Sequence, residues 1–479
     1  MVMISNVDEG FDTGLPLRGY QSCQVDEIGL AAHDTELPSV TCNPRILPHT
    51  HPPPSHKMTF PFAQTQYAAP DPIFELKLAY DADPCKPPAP GMHQVLIAAP
   101  DKITLGPGAY QDDKGKAWIL PSVAAAEKHM AANPPGHEYL PLLGLPAFRE
   151  ASQKVIFGDN AALLRGPKVA SLQTVSGSGA VHVAAEFLKQ FYSASATVYV
   201  SDPSWSNHRV MFEYVGFAVK DYPYYDASTK GVAFQSMLAC FEQANEGDAF
   251  VLHPCAHNPT GCDLSQEQWK KIGEVMKRRR LVPILDSAYQ GFATGDLDAD
   301  AWSVRYLLGE LGLTGLVCQS FSKSMGLYGE RVGALHVVLP ENTDAQLIKS
   351  IESQLGWISR KEISTPGRYG ATIAATIVNT PELYKQWRED MRTMSGRIYS
   401  MRKAVVDGLT ELGTPGSWKH VTDQIGMFSY TGLTKEQVLK LREKHIYMAD
   451  SGRASISGLN EGNVGYFCRW VDEIVRTGQ

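Results

Sequence analysis

Short apolar runs alternate with amphipathic stretches from about residue 160 to about residue 395. Runs of this length are typical of buried strands, and the stretches between them have the periodicity of helices. The alternation predicts an α/β fold in which a mostly parallel sheet lies between helices. The predicted strands are 168–175, 197–200, 218–220, 250–253, 281–285, 315–321 and 333–339.

The pattern also places several helices and a second domain. We expect a helix over 179–192, and Ser265 with Gln268 forms a capping box for another over 267–280. After about residue 395 the sequence predicts a long helix, a few short strands and more helix, ending in an amphipathic stretch near 462–476. This change predicts a smaller α+β domain.

Residues 1–61 lack this periodicity and end in a stretch rich in proline and histidine. We expect a largely disordered extension there. His49, His51 and His56 could bind a metal ion, but a solvated linker is the simpler interpretation because nothing fixes a coordination geometry. Seven acidic residues against three basic ones argue against a mitochondrial transit peptide.

Composition narrows the class of protein. The 479 residues are 43% hydrophobic, enough to bury a large core, and carry a formal charge of -7. That mild acidity removes the electrostatic case for binding nucleic acid or an anionic membrane, and no apolar run approaches the length of a transmembrane helix. The eight cysteines form no CxxC pair and indicate reduced thiols. We expect a cytoplasmic protein, although an organelle is not excluded.

Polar groups follow the predicted strands, where ligands bind in open parallel sheets. The small residues Ser176, Gly177 and Ser178 lead into a helix and could cradle a phosphate, although a ligand-free turn is equally consistent. Asp286 ends another strand, where a carboxylate is often only a helix cap. Lys323 follows the strand 315–321, where desolvation would free its amine as a nucleophile; taken alone, a solvated lysine is the commoner case.

Together these residues suit one ligand, pyridoxal phosphate. The turn at Ser176 and Arg331 would hold the phosphate, Lys323 would attach the cofactor, and Asp286 would keep the ring nitrogen protonated. Tyr289 and Asn258 add a phenol and an amide. Metal catalysis and a serine triad are poorly supported, because the sequence has neither ligand spacing nor a Gly-x-Ser-x-Gly elbow after a strand.

The segment 320–333 (SFSKSMGLYGERVG) resembles the lysine motif of the aspartate aminotransferases. These are class I members of the pyridoxal-phosphate transferases of fold type I. The resemblance covers roughly 62–479 and is greatest to the eukaryotic-type branch. Further similar motifs stand at 137–141 (HEYLP), 203–208 (PSWSNH), 255–261 (CAHNPTG), 286–292 (DSAYQGF), 423–428 (DQIGMF) and 451–453 (SGR).

The resemblance implies a role for each matching residue. Lys323 would carry the cofactor covalently and move the proton during transfer, and Asp286 would pair with the ring nitrogen with His208 behind it. Tyr289 and Asn258 would hydrogen-bond the phenolic oxygen, and Trp205 would stack on the ring. The phosphate would be held by Ser176, Gly177, Ser178, Ser320, Arg331 and, from a second subunit, Tyr139.

The substrate side of the implied site rests on two arginines. Arg453 would bind the α-carboxylate bidentately, and Arg360 of the neighbouring chain would bind the distal carboxylate of a dicarboxylic substrate. Gly108, Trp205 and Asn258 would line the same pocket. A surface ion pair is the alternative interpretation of Arg360. Residues from both chains imply a homodimer with composite sites.

The resemblance further implies a fold and an activity. Fold type I has a large domain, whose mostly parallel seven-stranded sheet lies between helices, and a smaller α+β domain. The implied activity is ping-pong transfer of an amino group between L-aspartate and 2-oxoglutarate, giving oxaloacetate and L-glutamate. Activity toward aromatic amino acids, and a non-catalytic scaffold, are the alternatives. The expected parts are the extension 1–61, an arm with part of the small domain over 62–117, the large domain 118–394 and the rest of the small domain over 395–479.

Overall fold

The computed structural model describes residues 62, 65–68, 70–84, 102–158 and 168–478. By its contacts the chain divides into two units, Met1–Ala68 and Ala69–Gln479. The predicted extension 1–61 lies outside the described residues, as do residues 85–101. The site and the fold below belong to the second unit.

The secondary structure of the second unit is given in chain order. The strands are β1 (Ile103–Thr104), β2 (Val169–Val175), β3 (Thr197–Asp202), β4 (Ala218–Pro223), β5 (Tyr225–Asp226), β6 (Gly231–Val232), β7 (Ala249–Leu252), β8 (Val282–Ser287), β9 (Gly315–Ser320), β10 (Val332–Val338), β11 (Phe428–Tyr430), β12 (Ile446–Tyr447) and β13 (Arg453–Ser455). The helices are α1 (Pro72–Ala82), α2 (Pro121–Ala132), α3 (Pro146–Phe157), α4 (Ser176–Phe191), α5 (Ser206–Tyr214), α6 (Phe234–Gln243), α7 (Gln266–Arg279), α8 (Leu297–Asp300), α9 (Trp302–Val304), α10 (Ala345–Ile363), α11 (Tyr369–Asn379), α12 (Pro381–Glu411), α13 (His420–Asp423), α14 (Lys435–Glu443) and α15 (Val464–Thr477).

Seven strands form the large sheet in the order β2-β10-β9-β8-β7-β3-β4. Only β10 runs antiparallel to its neighbours within this sheet, so the expected α/β fold with a mostly parallel sheet is confirmed. Nearly every residue of β7, β8, β9 and β10 is buried, since helices cover both faces. Two separate apolar clusters fill the spaces between sheet and helices.

The register of the central strands determines which residues meet at the carboxyl edge of the sheet. Leu252 of β7 lies opposite Leu285 of β8, and Asp286 of β8 lies opposite Cys318 of β9. The residues that follow these strands therefore emerge side by side. The position of Asp286 at this edge, with Lys323 three residues beyond β9, agrees with the sequence analysis.

Most boundaries lie close to their predictions. The seven large-sheet strands end within three residues of the predicted positions, and the capping box of Ser265 and Gln268 is present at α7. One helix differs: α4 begins directly at Ser176, three residues earlier than predicted, because the chain turns into the helix without an intervening loop. The domain boundary expected at 394/395 falls within α12, which continues from Pro381 to Glu411.

A second packed region joins the start and end of this unit. β1 pairs with β12 in parallel, β11 pairs with β13, and α12 packs against both α2 and α15. The pairing of β1 with β12 supports the assignment of 62–117 and 395–479 to one small domain, which stays a prediction. Among the described residues, no helix is both long and apolar enough to cross a bilayer.

Candidate active site

A cleft opens at the carboxyl edge of the large sheet. Most of the predicted site residues line it, and they end or follow the strands β3, β7, β8 and β9, begin α4 or directly precede β10. His253 and Ala288, which the sequence analysis did not select, line it as well. The lining residues are Ser176, Gly177, Ser178, Trp205, His253, Asn258, Asp286, Ala288, Tyr289, Ser320, Lys323 and Arg331.

The amino terminus of α4 forms one end of the cleft. Ser176 has a φ of 60°, and its N–H donates to Arg331 O at 3.0 Å, which fixes the turn from β2 into α4. A Cβ on Gly333 would collide with the Ser176 backbone, so a glycine there permits the close approach of β10. The first N–H groups of a helix have no intrahelical acceptor and carry a partial positive charge. This end of the cleft therefore suits an anion.

Hydroxyl groups and an arginine surround the same helix terminus. Ser176 Oγ lies 2.7 Å from Ser322 Oγ and 3.2 Å from Ser320 Oγ. Arg331 Nη1 donates to Ser322 Oγ at 3.3 Å and to Tyr328 O at 3.0 Å, which places its charge beside the hydroxyls. Three hydroxyls, helix N–H groups without intrahelical acceptors and a guanidinium match the chemistry of a phosphate. Ser322 is part of this cluster although the sequence analysis did not name it.

Asp286 lies at the other end of the cleft as a buried carboxylate. His208 Nε2 lies 3.0 Å from Asp286 Oδ2, and His208 Nδ1 lies 2.9 Å from Ser204 Oγ. Burial alone would raise the pKa of Asp286, but the hydrogen bond and charge of His208, then His253 and Lys323, lower it below its ordinary value. Asp286 therefore stays ionised and can pair with a cationic ring nitrogen.

His253 is a site residue that sequence reasoning missed. It directly follows β7, beside Asp286, and its Nε2 lies 3.9 Å from Asp286 Oδ2. Burial, then His208, lowers the pKa of His253 to about 3, so the ring is neutral. Its position at the end of a strand next to β8 was the available signal, but only the register shows that the two side chains meet.

His208, His253 and Asp286 also have the composition of a metal site, since their ligand atoms lie within 4.8 Å of one another. The hydrogen bonds favour another role. The Asn258 N–H donates to His253 Nδ1 at 3.2 Å, which leaves the proton of the neutral ring on Nε2, toward Asp286. A protonated Nε2 supports the carboxylate and cannot ligate a metal.

Lys323 emerges from the turn after β9. Its Nζ lies 5.3 Å from the centroid of the Tyr289 ring. Burial lowers the pKa of Lys323, Asp286 opposes that shift and Arg331 adds to it, so the net direction is downward. A lowered pKa increases the fraction of neutral amine, which is the nucleophilic form.

Tyr289 and Asn258 offer polar groups between these two ends. Burial raises the pKa of Tyr289, Arg453 opposes the shift and Asp286 adds to it, so the phenol stays protonated and can donate. Asn258 is buried, and its Oδ1 has no hydrogen-bond partner among the described residues. Trp205 precedes α5 and meets His208 edge-on, with ring centroids 5.2 Å apart. The Asn258 amide and the Trp205 indole thus both line the cleft. Among the described residues, no hydrogen bond accounts for the position of Asn258 Oδ1.

Gly108 and Arg453 adjoin the cleft through Phe428. A Cβ on Gly108 would lie 2.9 Å from Phe428 Cζ and 3.5 Å from Tyr289 Oη. Arg453 places its guanidinium carbon 4.5 Å from the Phe428 ring centroid and donates from Nη2 to Gly106 O at 2.8 Å. Its Nε is buried without a partner among the described residues. Arg453 therefore retains donor capacity for a carboxylate.

Arg360 and Tyr139 are the two predicted residues that lie away from the cleft. Tyr139 is 86% exposed, and Arg360 is exposed near the end of α10, where Nη1 donates to Ser364 Oγ. Arg368 Nη2 donates to Glu138 O at 3.0 Å, which ties the loop of Tyr139 to the segment after α10. The two residues thus belong to neighbouring surface segments and not to the cleft of their own chain.

Comparison with known proteins gives consistent similarities. The family described as aminotransferase class I and II matches residues 100–471. The cytoplasmic aspartate aminotransferase of Saccharomyces cerevisiae is 44% identical over 420 residues, covering 87% of this chain and 97% of the relative. A solved structure of that cytoplasmic yeast enzyme has a TM-score of 0.81, at 44% identity over 87% of this chain and 99% of the other. An aromatic-amino-acid aminotransferase of Burkholderia pseudomallei, covalently bound to pyridoxal phosphate, has a TM-score of 0.81 at 38% identity, covering 87% of this chain and all of the other.

The contact between His208 and Asp286 predicts a shift in pH dependence. In His208→Phe, Asp286 loses the hydrogen bond and charge that lower its pKa, so the carboxyl should protonate at a higher pH. We expect the acid side of the pH profile for pyridoxal phosphate affinity to move upward by about one pH unit. Equilibrium binding followed by absorbance measures it.

The matched control is His336→Phe. His336 is also fully buried, but its ring nitrogens contact Ser171 Oγ at 2.7 Å and Gln319 Oε1 at 3.1 Å and not Asp286. Its substitution should lower stability and leave the acid limb in place. Equal shifts in the two variants would contradict the role assigned to His208.

Proposed function

The chain belongs to the class I and II aminotransferases, and we propose that it transfers an amino group between L-aspartate and 2-oxoglutarate by a ping-pong route, giving oxaloacetate and L-glutamate. The observation that carries this proposal is the position of Lys323. Its amine has a lowered pKa and lies in one cleft with an ionised carboxylate, Asp286, and the anion site of α4. A nucleophilic amine between an acid and a phosphate site is the arrangement that pyridoxal phosphate requires.

The residues of the cleft fit this cofactor. We assign Ser176, Gly177, Ser178, Ser320 and Arg331 to its phosphate. Gly177 matters because a Cβ there would lie 3.0 Å from Ser320 Cβ and fill the space of the cradle. The partnerless Oδ1 of Asn258 indicates that this amide is oriented by a ligand, since buried polar groups are otherwise paired.

We assign the chemical steps to three side chains. When bound, pyridoxal phosphate supplies an electron-accepting ring that stabilises negative charge on the substrate α-carbon. Asp286 would maintain the ring in its accepting state by holding a proton at the ring nitrogen. Lys323 would move the proton between the substrate α-carbon and the carbonyl carbon of the cofactor. Tyr289, with its raised pKa, holds its own proton in a hydrogen bond to the phenolic oxygen.

Arg453 and Arg360 account for the choice of a dicarboxylic substrate. Arg453 has a free donor beside the cleft and would bind the α-carboxylate with its planar guanidinium. Arg360 is too exposed on its own chain to serve its own cleft, so we propose that it enters the site of a second copy and binds the distal carboxylate.

The surface around Arg360 supports a homodimer. Trp357, one helical turn before it, is 59% exposed, and Tyr369 begins α11 with half of its surface accessible. Aromatic residues and arginine are enriched at protein interfaces. Tyr139 is tied to the same region through Arg368. We propose a two-fold dimer in which Arg360 and Tyr139 complete the partner's site, and a cytoplasmic location like that in the names of the yeast relatives.

Two alternative functions, activity toward aromatic amino acids and a non-catalytic scaffold, require different residues at the site. Activity toward aromatic amino acids is favoured by Phe428 and Trp205, whose rings adjoin the site, and structural relatives of this chain include aromatic-amino-acid aminotransferases. A non-catalytic scaffold would not require Lys323, Asp286 and Arg453 to converge. Purified protein that stays colourless with added pyridoxal phosphate would favour the scaffold.

Substrate choice is tested by Arg360→Leu. We expect kcat/KM for aspartate to fall about a hundredfold, because the distal carboxylate loses its charged partner, and kcat/KM for phenylalanine to stay within about threefold. Steady-state assays with both donors measure the ratio. Arg392→Leu removes another exposed helical arginine and should change neither value. Undiminished aspartate turnover in Arg360→Leu would exclude the dicarboxylate assignment.

Composite sites are tested by mixing two inactive subunits. In a dimer of Lys323→Ala with Arg360→Leu, one site would carry both changes and the other would carry neither. Random pairing should therefore restore about a quarter of wild-type activity toward aspartate, since half of the dimers are mixed and each has one intact site. Co-expression followed by assay of the unfractionated dimers measures it, and mixed dimers isolated with two affinity tags should show about half of wild-type activity, because one of their two sites is intact. If Arg360 served its own chain, the mixture would show no recovery.

A further inference from the structure

Asp263 lies behind the cleft and binds the backbone of residues 255–263, which we call the Asn258 loop. Asp263 Oδ2 accepts the N–H of Ala256 at 2.6 Å, and Oδ1 accepts the N–H of His257 at 2.9 Å. The following N–H, that of Asn258, donates to His253 Nδ1 at 3.2 Å. Three consecutive amide groups are thus held by side chains directly before the Asn258 side chain enters the cleft.

The loop has a conformation that needs such support. Ala256 has a φ of 49°, in the left-handed region that disfavours residues with a Cβ. His257 is locked by Ser201 Oγ at 3.0 Å from Nε2 and by Thr260 Oγ1 at 2.8 Å from Nδ1. Its ring also stacks on Tyr224 with centroids 3.9 Å apart. The two bonds to Asp263 therefore hold the strained residue at the start of this rigid turn.

A second charged residue, Arg402, connects the Asn258 loop to β11, the strand that pairs with β13 and its Arg453. Arg402 is fully buried in α12 and donates from Nη1 to Val421 O at 2.7 Å and from Nη2 to Gly426 O at 2.9 Å and to Phe428 O. The segment that it holds packs on the Asn258 loop, since Ile425 N donates to Gly261 O at 2.8 Å.

The charges of Asp263 and Arg402 interact across this contact. Burial raises the pKa of Asp263 to about 7; its bonds to His257 and Ala256 and the charge of Arg402 oppose the shift, whereas Asp300 adds to it. Burial thus already disfavours the charged form of Asp263. The protein should therefore still fold with a neutral side chain of the same shape at this position.

We propose that Asp263 is a positioning residue that fixes the Asn258 amide relative to the cofactor and thereby sets the pH at which bound pyridoxal phosphate ionises. The inference rests on the proposed function, in which Asn258 hydrogen-bonds the phenolic oxygen. A donor to that oxygen stabilises its deprotonated form and lowers its pKa. Replacement of Asp263 leaves the N–H groups of Ala256 or His257 without an acceptor, the loop relaxes, and the Asn258 bond weakens.

The experiment compares holoenzymes by the pH midpoint of the cofactor absorbance change and by the Kd for pyridoxal phosphate. Asn258→Ala should raise the midpoint by about one pH unit, and Asp263→Asn should raise it by about half as much. The double variant should match Asn258→Ala alone, because both changes act through one hydrogen bond.

Asp248→Asn is the control. Asp248 is buried before β7, at the opposite end of that strand, and accepts the N–H groups of Thr197 at 2.8 Å and Asn245 at 2.9 Å. This variant makes the same chemical change at the same kind of carboxylate and should leave the midpoint unchanged.

Three results would overturn or redirect the inference. An unchanged midpoint in Asp263→Asn would show that Asp263 is merely structural, and a full further shift in the double variant would show that it acts independently of Asn258; either result would overturn the inference. If Asp263→Asn does not fold, Asp263→Ser, which is neutral and keeps one acceptor oxygen, is judged by the same midpoint. If Asn258→Ala itself causes no shift, the proposed cofactor role of Asn258 fails, which is a different outcome from failure of Asp263 alone.

Discussion

A carboxylate that remains ionised while buried is the constraint on which the rest of the site depends. Removing the charge of Asp286 from water costs several kcal/mol unless partners compensate for it. His208 donates to it directly, His253 directs a second N–H toward it, and Lys323 contributes a positive charge. These partners are themselves buried, so each must be held by its own contacts, such as that of Ser204 with His208.

The parallel register of β7, β8 and β9 brings these groups together at one edge of the sheet. His253, Asp286 and the turn of Lys323 follow three adjacent strands, so the rigid sheet sets their spacing. The anion site at α4 depends on the antiparallel strand β10, which carries Arg331 to the start of the helix. One strand reversal thus places this anion site beside the amine of Lys323, and the proposed cofactor site rests on that juxtaposition.

Much of the fold and of the site could be predicted from the sequence. Apolar runs bounded by polar residues located the strands, and the motif around Lys323 located the residues that follow them, because both signals are local. His253 and Ser322 were missed, since only strand register and the packing of β10 bring them to the cleft. Asp263 binds the backbone only six and seven residues away, but no motif marks it, and the contact between its loop and the segment held by Arg402 joins Gly261 to Ile425, more than a hundred residues apart in sequence. Arg360 and Tyr139 need a second chain, so neither the sequence nor the fold of one chain tests them.

The most direct measurement of the central claim is a peptide map after borohydride reduction in the presence of pyridoxal phosphate. Reduction makes the bond between an amine and the cofactor permanent, so the modified lysine can be identified by mass spectrometry. The account predicts a single labelled peptide containing Lys323, and loss of that label in Lys323→Ala. A label on another lysine, or unlabelled protein that still transfers amino groups, would contradict it.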